Sequence, residues 1–63
     1  MLIDEMLERA STVTQARCIR DAEMKKNFNK YCEGYYSGLD EYDYHNEHVE
    51  DCYNRAIKRI TGK

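Results

Sequence analysis

The stretch YCEGYYSGLDEY, residues 31–42, decides how this chain folds. Gly34, Gly38 and Gly62 are its only glycines and it has no proline, so interruptions to helix are confined to a few places. A glycine just past a helical run is a common stop, because it adopts the left-handed conformation that closes the last turn. Gly34 therefore ends one helix, residues 34–38 form a turn, and Ser37 to Asp40 offer caps for the next. Working outward, one helix is predicted over about residues 2–33 and a second over about 39–61, stopped by Gly62. The fold class expected is all-α, an antiparallel helical hairpin forming a single domain over residues 1–63.

Apolar spacing supports two facing stripes. Ile3, Leu7, Ala10, Thr14, Arg17, Asp21, Met24, Phe28, Tyr31 and Tyr35 recur in alternating steps of four and three, as in a coiled-coil seam. Leu39, Tyr42, Asn46, Val49, Tyr53, Ala56 and Ile60 do the same on the second helix. Equal distances from the turn set Tyr31 near Tyr42, Phe28 near Asn46, Met24 near Val49 and Asp21 near Tyr53. In that register Arg17 pairs with Asp21, Tyr53 reaches Asp21, and the polar middle is a satisfied network that sets register.

The second helix runs out opposite about Val13, leaving Leu2, Ile3, Met6, Leu7 and Ala10 uncovered in a simple hairpin. Two solutions exist. The chain can break near residues 11–12, where Thr12 and Gln15 have capping-box spacing, and fold residues 2–10 back as a third helix. Alternatively the long helix persists and those five residues form a self-association surface, most simply in a homodimeric four-helix bundle. The second is favoured, because a two-helix hairpin of this size rarely stands alone.

The N-terminal segment lacks the basic start and apolar run of a secretory signal, and no stretch approaches membrane-spanning length, so a cytoplasmic protein without membrane contact is expected. Cys18, Cys32 and Cys52 are odd in number and show no Cys-x-x-Cys spacing, which points to reduced thiols rather than a disulfide framework or a zinc ribbon.

The net charge of −2 hides an uneven distribution. No Lys or Arg occurs between Tyr31 and Asn54, where Glu33, Asp40, Glu41, Asp43, Glu47, Glu50 and Asp51 cluster, whereas Arg55, Lys58, Arg59 and Lys63 make the tail basic. Acids early and bases late suit a helix dipole and a soluble surface. The same pattern also suits docking to a basic protein, such as one that handles nucleic acid, through Tyr35, Tyr36, Glu41, Tyr44 and Glu47. Direct nucleic-acid binding through the basic tail is disfavoured, since four cations beside an acidic body make a weak electrostatic footprint.

Glu41, His45, His48 and Cys52 fall on one face of the second helix and are the candidate metal ligands. The His-Glu-x-x-His pattern is absent and a single helix offers no ligand from elsewhere, so the metal assignment is none and no cofactor is expected. The same face is an ordinary half-buried flank, or a pH-sensitive one through His45 and His48. Cys52 and His48 lack a third orienting group and an oxyanion site, and no phosphate loop is present, so the chain reads as a non-enzyme with no catalytic residues.

A short, proline-free, tyrosine-rich acidic helical chain resembles the small early and accessory proteins of bacteriophages. The likeness is one of size and composition and carries over no site residues. It implies a protein-interaction regulator, adaptor or inhibitor acting on a host protein; a purely structural self-associating protein would share these features.

Overall fold

The structure, a computed structural model, describes residues 2–62. Those residues are all-helical: α1 spans Ile3–Arg9, α2 Val13–Cys32 and α3 Leu39–Thr61. They pack in an elongated body of 38 × 16 × 16 Å, so the molecule has two well-separated ends. Among the described residues no helix is long and apolar enough to cross a membrane.

The continuous helix expected over residues 2–33 is broken, and residues 3–9 fold back as α1. Local chemistry makes the break. Thr12 caps α2, its hydroxyl accepting from the Gln15 backbone N–H at 3.1 Å, while the Gln15 side-chain carbonyl accepts from the Ser11 N–H at 2.9 Å and the Ser11 hydroxyl at 3.0 Å. These bonds satisfy N–H groups that a helix start leaves without partners. α3 repeats half of the device: the Glu41 carboxylate accepts from the Ser37 N–H at 2.8 Å and its hydroxyl at 2.7 Å, while the cap residue itself is Gly38, which makes no side-chain bond.

Tertiary contacts complete the fold-back. Leu7 and Ala10, expected to lack an intrachain partner, are 1% and 3% exposed in a cluster with Ala16, Cys52 and Ala56. The Arg59 guanidinium donates to the carbonyls of Leu7 at 2.8 Å and Ala10 at 2.7 Å. It thereby ties the end of α1 to α3, sharing the Leu7 carbonyl with the Ala10 N–H, which reaches it at 3.2 Å. Ile3, Ile19, Tyr53, Ile57 and Ile60 pack around this core, which lies at the end of the molecule away from the 33–38 turn.

At that turn, Gly34 adopts φ 86°. The Tyr35 N–H reaches the Lys30 carbonyl at 2.9 Å and the Gly34 N–H the Tyr31 carbonyl at 3.2 Å, the two bonds of a Schellman stop. Gly62, at φ 72°, closes α3 as expected. The chain then runs back along α2, with Asn27 beside Asn46 and Arg20 beside Tyr53.

The face α2 turns inward differs from the expected one by a single residue. Ala16 and Asn27 are buried and Val13, Arg20 and Glu23 half-buried; of the expected stripe Met24 is half-buried, whereas Thr14, Arg17, Asp21, Phe28, Tyr31 and Tyr35 are exposed. One residue is about 100° of rotation. The spacing begun by Ile3, Leu7 and Ala10 does not carry into α2, because the non-helical residues between the two helices interrupt the phase. The pairs shift accordingly. Asp21 bonds Arg20 at 2.9 Å rather than Arg17, and Arg20 lies over the Tyr53 ring at 4.4 Å, where Asp21 had been expected to meet Tyr53. On α3 the expected stripe is present from Tyr42 to Ile60, with Cys52 added and Leu39 exposed.

Candidate acidic and aromatic surface

The turn end is built on a small polar network. Asn27, 4% exposed, donates from its side-chain amide to the Asn46 carbonyl oxygen at 3.2 Å and accepts from the Tyr36 hydroxyl at 3.1 Å. The Tyr36 ring stacks on His45 at a centroid distance of 4.8 Å. Burial, together with the carboxylates of Glu23 and Glu41, pushes the Tyr36 hydroxyl above its ordinary value. Among the described residues no buried side-chain polar atom lacks a partner, so this polar layer is satisfied structure.

Two of the residues expected to greet a partner are committed to that structure. Tyr36 is turned inward, and Glu41 holds Ser37. The two Ser37 bonds and the nearby His45 keep the Glu41 carboxyl below the usual carboxylate range. Tyr35, Tyr44 and Glu47 remain exposed, with Tyr44 edge-on to His45 at 5.5 Å.

The one-residue rotation of α2 exposes Phe28, at 53%, and Leu39 at the start of α3 is 57% exposed; the spacing had assigned both to the interior. Phe28 and Tyr31 both lean on Tyr42, at centroid distances of 6.4 and 4.9 Å. Tyr42 in turn approaches Tyr36 at 6.4 Å, so the rings form one continuous cluster. Beside it, Met24 on α2 and Asp43, Glu47, Glu50 and Asp51 on α3 line a shallow groove with Asn46 and Asn54. The ion pair formed among the described residues is Arg20 to Asp21, so these four acids have no salt-bridge partner there. Phe28 and Leu39 were legible as large apolar residues; their exposure was not.

The basic end is differently disposed. Arg20 covers Tyr53 and Arg59 holds α1. Arg55 donates to the Asp51 carbonyl at 3.4 Å and lies 3.3 Å from the Cys52 sulfur. Guanidinium groups that read as a basic surface in sequence thus make intrachain contacts.

The four candidate metal ligands are not drawn together. Glu41 faces Ser37, His45 faces Tyr36, and His48 lies 3.8 Å from the Cys52 sulfur through its Nε2. Among the described residues no group of three or more His, Cys, Asp or Glu side chains could hold an ion. Cys52 is buried at a cavity of about 180 Å³ between α1 and α3, rimmed by Asp4, Glu8 and Arg55. No family profile matches this chain, and no curated protein or solved structure matches it.

Proposed function

We propose that this protein is a non-enzymatic interaction module that captures a basic protein segment on the face formed by Met24, Phe28, Tyr31 and the first half of α3. The observation that carries this reading is the juxtaposition of exposed rings with a groove wall of four carboxylates that have no salt-bridge partner among the described residues. Aromatic side chains contribute contact area at low entropic cost, and unpaired acids steer a cationic partner and select against anionic ones. The engagement of Arg20 with Tyr53 and of Arg59 with the Leu7 and Ala10 carbonyls favours this surface over direct contact with nucleic acid.

The test is a titration with a lysine-rich amphipathic peptide at several salt concentrations, repeated on Glu47→Lys/Glu50→Lys. Binding that weakens with salt and is lost on charge reversal, with far-UV circular dichroism unchanged, supports the reading. Binding that is indifferent to both would refute it.

A further inference from the structure

α1 is tied to the rest of the chain by Ala10, Ser11 and Thr12, and by no glycine or proline. Ala10 (φ −66°, ψ 132°) and Thr12 (φ −130°, ψ 157°) are extended. Alanine is the best helix former and serine and threonine are tolerated, so the same three residues can continue the helix. What holds them extended is a replaceable set of bonds among Ser11, Thr12 and Gln15, together with the docking of α1.

The docking surface is shared by the start of α2 and the C-terminal half of α3: Ala16, Cys52 and Ala56 pack with Leu7 and Ala10, and Arg59 takes the carbonyls of Leu7 and Ala10. A second copy of the chain offers the identical surface. If the hinge straightens, α1 and α2 form one helix of about 45 Å, and residues 3–12 overhang the hairpin by about 15 Å at 1.5 Å per residue. An open monomer would leave Leu7, Ala10, Cys52 and Ala56 bare to water. Two copies meeting at their open ends would cover both cores without a new interface.

We propose that α1 exchanges between two copies of this chain, giving a domain-swapped dimer in which Leu7 and Arg59 make their present contacts across subunits. Exchange of identical elements is a low-cost route to a dimer, because the native interface is reused. The Ser11, Thr12 and Gln15 cap sets the balance, since it is made in the closed chain and lost when the hinge becomes helical. The acidic face lies toward the opposite end of α3, so the dimer would present it twice. This inference does not depend on that face binding anything.

The experiment is light scattering on reduced protein refolded at low and at high concentration, for the wild type and for Ser11→Ala/Thr12→Ala. A dimer that grows with concentration is expected, and removing both caps should tighten it by about tenfold or more. A Glu8→Cys/Arg55→Cys pair, exposed on opposite sides of the α1–α3 cavity, is placed in a Cys18→Ser/Cys32→Ser background and joined with a short thiol cross-linker. The dimer fraction should then give covalent dimers and the monomer fraction intrachain links. Monomer at every concentration in both the wild type and the cap variant overturns the proposal, as does a dimer containing only intrachain links. The cap variant requires no cysteine chemistry, so its result stands even if the cross-linking variant misfolds.

Discussion

Leu7→Ala and Phe28→Ala, measured side by side, test the packing phase of the whole molecule. Leu7 is 1% exposed at the centre of the core cluster, and its loss removes buried contacts and leaves a cavity between α1, α2 and α3. Truncating a fully buried leucine costs about 3–5 kcal/mol. A domain of 63 residues has roughly 3–9 kcal/mol to lose, so the variant should forfeit about a third or more of its stability. Phe28 is larger but 53% exposed and leans on Tyr42 alone among the rings. Its removal opens no enclosed cavity and should cost about 1 kcal/mol. Urea unfolding followed by far-UV circular dichroism reads both costs as shifts in midpoint at constant slope. In thermal melts, Leu7→Ala should fall by about 12 °C or more and Phe28→Ala by about 4–8 °C. Equal costs, or a larger cost for Phe28, would mean that α2 packs through the Asp21, Met24 and Phe28 stripe, and the fold described here would be wrong by one residue in α2.

Asn27→Ala should destabilise by about 1–3 kcal/mol in the same assay, because the Tyr36 hydroxyl and the Asn46 side chain lose their shared partner in a half-buried site; a neutral effect would show that water replaces the amide. Glu41→Gln tests the acid limb. The folded carboxyl is held below its ordinary value, so its contribution is present above the unfolded value near 4.5 and is lost as pH falls through the folded value. The variant should therefore lose stability at neutral pH and show a shallower fall between pH 5 and 3; parallel curves for the two proteins would sink this account of the Ser37 bonds.

Much of this protein was decided locally, and local chemistry is what a sequence displays. With no proline and three glycines, the stops at Gly34 and Gly62 follow from the backbone freedom of those residues, and each is a left-handed closure in the structure. The Thr12 and Gln15 spacing carried the α2 cap, and the strong amphipathic pattern of α3 identified Val49, Tyr53, Ala56 and Ile60 as its inner face. The phase of α2 was not legible. Its buried positions include an alanine and an asparagine, while Phe28 and Tyr31 lie on the outer stripe, so apolar spacing pointed the wrong way. Two interactions distant in sequence settled the matter: Arg59 reaching carbonyls 49 and 52 residues earlier, and Asn27 meeting Asn46 across the helix pair. Capping is written into neighbouring residues because its bonds span five positions at most. Which side of a weakly patterned helix faces inward depends on the summed burial and hydrogen bonding of three helices at once, and that sum exists only when the chain is folded.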